Sequence, residues 1–240
     1  MAPAAAQARL DRLDKERNGA RTREAVLDAA LRLFAERGYE ATSLQDVGAL
    51  AGVSRGTPGY FFGSKEELYR AVLERGLERV RAAVRSGKER ALASQEPPEV
   101  VLAGVVGEYF DFIADNPDFV RLVEWEALSG GRQIGTLPPH LEAAQEALGA
   151  IISELALEPG REAEARQLLL SLIGLCWFPV VHGPTVLRAL GVDLNDPAFR
   201  EERRRHVIKL VLQGVRGELG GPSSPPHHSR KDWQHDGRDS

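Results

Sequence analysis

Cysteine is almost absent from this sequence: Cys176 stands alone among 240 residues. A single thiol closes no internal disulfide, which excludes a disulfide-stapled scaffold. Its setting, "SLIGLCWFPVV", is apolar and points to a buried, reduced side chain in a cytoplasmic protein. Long hydrophobic runs are missing too. The longest, Leu168 to Val181, is broken by Ser171, Gly174 and Pro179 and falls short of the ~20 residues that a membrane span needs. The leading stretch "MAPAAAQARLDRLDKERNGARTRE" lacks the apolar centre of a secretory signal, so neither export nor a membrane partner is expected. No series of alternating apolar and polar residues marks a sheet. No Cys/His spacing suits a metal, no nucleophile has a base in a recognisable pattern, and "GGRQIG" lacks both the Lys-Ser/Thr ending and the preceding strand of a phosphate loop. Cofactors, metals and catalysis are therefore not expected.

What is present is ordinary globular material, 42% hydrophobic and 28% charged, enough for one or two packed domains. The net charge of −4 does not announce a nucleic-acid partner, but its distribution is uneven. Residues 1 to 23 hold Arg9, Arg12, Lys15, Arg17, Arg21 and Arg23 against three acids. They read as a mildly basic arm, disordered over 1–20.

Beyond the arm, Val26, Leu27, Ala30, Leu31 and Phe34 recur at helical spacing, and Gly38 stands where a left-handed residue ends a helix. The first helix is thus expected from about Arg23 to Arg37. The second begins in "TSLQDVGALA", where Thr42 with Gln45, or Ser43 with Asp46, has capping-box spacing. A further start, "SKEELYRAVL", pairs Ser64 with Glu67 and opens a helix expected to pass Val84. Later blocks, about 98–114, 117–129, 139–157, 160–182 and 197–216, are separated by Pro/Gly breaks. The class is all-α. The polar, Pro/Gly-rich end over 218–240, which contains His227 and His228, is expected to be disordered.

Between the second helix and Ser64 lies "AGVSRGTPGYFFG", crowded with residues that weaken helices. A helix-turn-helix explains them. It needs a small residue where two steeply crossed helices meet, supplied by Gly48, and a turn glycine, supplied by Gly52. Its second helix enters the DNA major groove, and here the outward residues are Arg55, Thr57 and Tyr60, able to meet bases or phosphates. Gly56 and Gly59 leave bare backbone for close approach, and Pro58 suits only a helix's first turn, so a shortened recognition helix is expected.

The run "TREAVLDAALRLFAERGYEATSLQDVGALAGVSRGTPGYFFGSKEELYRAVL" resembles the DNA-binding domain of TetR-family bacterial transcriptional regulators, through "LFAERGYEATS", "AGVSRGT" and "FFGSKEEL". The resemblance implies an N-terminal three-helix domain with a helix-turn-helix over 21–68, then a larger helical ligand-binding and dimerisation domain over 69–217. It implies phosphate contacts at Thr42, Ser43 and Lys65, groove contacts at Ser54, Arg55 and Thr57, and an aromatic contact at Tyr60. The sequence departs from the family at Pro58 and Gly59, where an aliphatic residue and a tyrosine are usual. The implied partners are a double-stranded DNA operator and a second copy of the chain, joined through helices at about 161–181 and 197–216. A small, largely apolar effector would meet aromatics of the body, with Tyr109, Phe112, Trp125 and Trp177 as candidates. A repressor is implied. An effector-independent architectural DNA binder and an all-α enzyme remain as alternatives. Glu124 and Glu126 are expected on a solvated face, and His182 at a helix C-terminus.

Overall fold

The computed structural model describes residues 3–93, 97–154 and 160–215. Among them the protein is entirely helical: α1 Pro3–Arg37, α2 Leu44–Leu50, α3 Thr57–Phe62, α4 Lys65–Ala93, α5 Pro98–Asp115, α6 Pro117–Leu128, α7 Pro138–Glu154, α8 Glu162–Val181 and α9 Pro197–Gly214. A 3-10 turn, Ile134–Thr136, precedes α7, and a wide π-type turn, Gly183–Leu187, follows α8. The tail expected at 218–240, with His227 and His228, lies outside the described residues.

The arm expected as disordered over 1–20 is instead helical from Pro3 and continuous with the first helix. Its composition is the reason: Ala, Arg, Leu, Gln, Lys and Glu are strong helix formers, and after Pro3 no glycine or proline interrupts them before Gly19. Prolines open α5, α6, α7 and α9, where a missing N–H and a preset φ cost nothing. The α1 C-terminus follows its cap: Gly38 has φ +77° and its N–H donates to Phe34 O at 2.9 Å.

Two cores result. The first joins α1 to α4 with α6: Val26, Leu27, Phe34, Val47, Leu68, Val72 and Leu73 are buried together with Phe119 and Leu122. Tyr69 packs edge to face on both Phe34 and Tyr39 there, with Phe34 and Tyr69 centroids 4.9 Å apart. The second joins α5, α6, α8 and α9 around Phe110, Ile113, Val120, Cys176, Val207 and Val211. The 29-residue α4 leads from the first core into the body, and Gly76 leaves room for Phe119, whose ring a Cβ there would meet. By length and composition alone the 20-residue α8 could cross a membrane, a test that the core helices of globular proteins also pass. It nevertheless packs within the second core through Leu172 and Cys176.

Candidate nucleic-acid interface

The turn between α2 and α3 is built on two glycines. Gly52 adopts φ +67°, which a side chain would resist. Gly48 is pressed against the far side of the turn: a Cβ there would lie 3.1 Å from Ser54 O and 3.5 Å from Pro58 Cδ. The Val53 N–H closes the turn on Gly48 O at 3.0 Å. Together these contacts lock α3 against α2, so the direction of α3 follows from sterics.

Ser43 caps α2. Its hydroxyl accepts from Asp46 N–H at 3.1 Å and donates to Asp46 Oδ2 at 2.6 Å, while the carboxylate accepts from Ser43 N–H. Of the two capping boxes that the spacing allowed, this one forms. The Ser43 bonds hold the Asp46 carboxyl below its usual range. Ser64 and Glu67 form the second box at the start of α4, with Ser64 N–H to Glu67 Oε2 at 2.8 Å and Glu67 N–H to Ser64 Oγ at 3.1 Å.

Helix α3 has only six residues, with Gly56 at its N-cap and Pro58 buried in its first turn. Neither Ser54 nor Thr57 caps it. Their hydroxyls instead bond each other at 2.7 Å. Arg55 is exposed, and Tyr60 is 84% exposed with its ring edge on Phe61. A Cβ at Gly56 would meet nothing and one at Gly59 only Leu44 Cδ1 at 4.0 Å, so the fold itself does not require glycine there.

Two of the residues expected at phosphates have partners within the protein. Thr42 is buried, and its hydroxyl is committed to Gly38 O at 2.9 Å and Leu33 O at 3.3 Å, tying the α1–α2 connection to the end of α1. Lys65 Nζ donates to Tyr39 O at 2.9 Å and Glu40 O at 3.4 Å and lies 4.2 Å from the centre of the Tyr39 ring. Two of its three N–H donors are thereby engaged. Ser43, Ser54, Arg55, Thr57 and Tyr60 remain as the side chains that the helix-turn-helix offers.

The four expected effector residues do not share one cavity. Tyr109 and Trp177 do meet, with Trp177 Nε1 donating to Tyr109 Oη at 2.6 Å inside the body. Phe112 packs on Phe119 where the two cores join. Trp125 is elsewhere: its Nε1 donates to Ala35 O at 3.3 Å and its ring lies 3.7 Å from where a Gly38 Cβ would be, half-exposed at the α1–α6 junction. Shallow depressions open on α8 and α9, one lined by Ser171, Gly174, Leu175, Phe178 and Arg203, the other including Arg205, Ile208 and Leu212. Among the described residues, no group of His, Cys, Asp and Glu gathers as for a metal. His182 ends α8, its N–H on Phe178 O and its ring 4.5 Å from the Phe178 ring.

Glu126 is not on a solvated face. It is buried, and its Oε2 accepts from Gln133 N–H at 3.0 Å and Ile134 N–H at 3.1 Å, with the Tyr69 hydroxyl of α4 interacting electrostatically with the carboxylate. Burial first, and this carboxylate second, push the Tyr69 phenol above its ordinary value. Spacing contained the signal, since Glu126 lies four residues after Leu122 and seven after Phe119 on the apolar stripe of α6.

A steric helix-turn-helix lock with exposed Arg55 and Tyr60, carried on a larger helical body, defines a DNA-binding transcriptional regulator. Residues 26–72 match the sequence profile of bacterial regulatory proteins of the tetR family, and residues 98–211 match the tetracyclin repressor-like C-terminal domain. The chain is 26% identical over 210 residues to the HTH-type transcriptional repressor NicS of Pseudomonas putida, a match covering 82% of this chain and 93% of NicS. It is 30% identical to the HTH-type transcriptional activator FasR of Mycolicibacterium smegmatis, covering 72% of this chain and 75% of FasR. The fold is shared with a transcriptional regulator from Streptomyces coelicolor, at a TM-score of 0.61 and 22% identity over 80% of this chain and 97% of that one. The chain belongs to the TetR family.

Proposed function

We propose that this regulator is a homodimeric, cytoplasmic repressor that holds a pseudo-palindromic operator through two copies of α3 and is released by a small, largely apolar ligand. The observation that carries the dimer is the unpartnered outer surface of α8 and α9. Leu170 is 62% exposed, Phe178 45% and Leu210 38%, beside the two shallow depressions. Arg203 lies in the same surface: its NH2 group donates to Leu175 O at 3.0 Å, while its buried Nε has no partner within the protomer. Burial also lowers the basicity of this guanidinium. Apolar area of this kind, next to a desolvated and incompletely bonded cation, fits an interface that a second copy completes. Repression follows the likeness to NicS, and the ligand class follows the apolar surroundings of the hydrogen-bonded Tyr109–Trp177 pair in the body.

Such a ligand acts by favouring a conformation whose two α3 helices no longer match half-sites one helical turn apart, ~34–36 Å in duplex DNA. Sedimentation equilibrium of the wild type and Leu175→Glu tests the dimer. A dimeric wild type and a monomeric variant are expected, because a charge buried without a partner costs several kcal/mol. A wild type that is monomeric at micromolar concentration refutes the interface and the palindromic operator together.

A further inference from the structure

The helix-turn-helix unit has the wrong charge for its partner. From Glu24 to Leu68, with Arg21 and Arg23 counted in the arm, there are four basic residues, Arg32, Arg37, Arg55 and Lys65, against seven acidic ones, a net charge of −3, and two of those acids, Glu24 and Asp28, are ion-paired with Arg75 of α4. Lys65 is further committed to two carbonyls, and Arg37 lies 4.0 Å from the Glu36 carboxylate. Arg55 can read a base, but three exposed guanidinia, Arg32, Arg37 and Arg55, are outnumbered by the acids of the unit, and the repulsion between an acidic surface and a polyanion is ordinarily relieved by several Lys/Arg–phosphate contacts. The compensating charge lies directly upstream: residues 1–23 carry six bases and three acids, the inverse balance of +3.

The structure gives that charge a shape. The arm is the first half of α1, one unbroken helix from Pro3 to Arg37. Its junction with the domain is at the recognition helix, where the Arg23 guanidinium lies 4.9 Å from the centre of the Phe62 ring at the end of α3. Upstream the helix leaves the packed core. Asp14 to Asn18 are all exposed, and Arg17 is 80% exposed with only a loose 3.8 Å approach to Asp14. Arg17 and Arg21, four apart, share one helix face. Twenty residues of helix reach about 30 Å, and a helix packed on nothing is marginal in water unless a partner supports it.

We propose that this arm is a second DNA-contacting element, a basic helix that lies on the phosphate backbone beside the groove read by α3. It supplies charge and carries no base reading. The inference rests on α3 binding DNA, and the wild-type titration reports on that separately. The probe is a 40-base-pair duplex of mixed sequence, titrated with the full-length chain by fluorescence anisotropy between 50 and 200 mM KCl. The variant Lys15→Gln/Arg17→Gln/Arg21→Gln removes three charges with residues of similar helix propensity. If each charge meets one phosphate, the slope of log affinity against log salt becomes shallower by about 2.7 per engaged arm. Across this salt range the variant then loses about 40-fold less affinity than the wild type. Asp14→Lys should steepen the slope and tighten binding, a gain that unfolding cannot imitate. Equal slopes for wild type and both variants overturn the arm as a DNA contact. A wild type that binds no duplex overturns the DNA-binding reading itself, which is a different result.

Discussion

Replacing Glu126 tests whether one buried carboxylate holds α4, α6 and the 3-10 turn together. Its Oε2 accepts two main-chain N–H bonds, from Gln133 and Ile134, and the Tyr69 hydroxyl interacts with the same carboxylate. In Glu126→Leu the shape is nearly kept and all acceptors vanish. The Gln133 N–H is only half-buried and can recover water, whereas the Ile134 N–H and the Tyr69 hydroxyl are buried and cannot. Each orphaned donor costs about 1–3 kcal/mol, and relief of the carboxylate's own desolvation offsets part of the sum, which leaves a net loss of about 2–5 kcal/mol. For a chain of this size that corresponds to roughly 5–15 °C in Tm. Glu126→Gln retains an acceptor and should lose only about 1–2 kcal/mol. The assay is urea unfolding followed by tryptophan fluorescence, to which Trp125, Trp177 and Trp233 contribute, with protomer concentration held constant because any self-association adds to apparent stability. The decisive control is Tyr69→Phe combined with Glu126→Leu. With the orphaned hydroxyl gone, the double variant should lose less than the two single losses added together. A Glu126→Leu variant within about 0.5 kcal/mol of wild type, or strict additivity with Tyr69→Phe, would refute the assignment.

Arg55→Ala should weaken binding to a footprinted operator by about 1–3 kcal/mol while leaving affinity for scrambled duplexes nearly unchanged; gel shifts with both duplexes check it, and equal losses on both would remove Arg55 as a base reader. Gly48→Ala gains ~1 kcal/mol of helix propensity but places a methyl 3.1 Å from Ser54 O, so a net destabilisation of about 1–3 kcal/mol and weaker operator binding are expected from thermal unfolding and gel shifts. The Asp46 carboxyl is held low by Ser43, so its support of α2 is complete above its unfolded pKa near ~4 and is lost as pH falls through the lower folded value. Acid titration of wild type and Asp46→Asn by circular dichroism should therefore diverge above that window and converge below it. Burial pushes the Cys176 thiol up to about 12, so a thiol reagent at pH 8 should label it only after denaturant is added.

Local chemistry is legible in the sequence by itself. The Gly38 cap, the Ser64–Glu67 box, the Gly52 turn and the body helices each follow from residues a few positions apart, and short-range hydrogen bonds and backbone preferences decide them, whereas the α2 cap is narrowed only to Thr42 with Gln45 or Ser43 with Asp46. The short α3 is legible for the same reason, since Pro58 admits only a first-turn position. Questions of partner choice between distant segments are decided by tertiary packing. Thr42 and Lys65 are residue types that suit a phosphate, yet the end of α1 lies close enough to take the Thr42 hydroxyl, and the Tyr39 ring and carbonyl take the Lys65 ammonium. Trp125 stands apart from the expected aromatic lining because α6 crosses α1 beside Gly38, where the indole N–H reaches Ala35 O. Glu126 is a buried hub because Tyr69, 57 positions away, and the turn after α6 converge on it. Helical periodicity tells which face of a segment is turned inward, but not which donors will be waiting there; that depends on how the helices cross, and the crossing is settled by the packing of all of them at once.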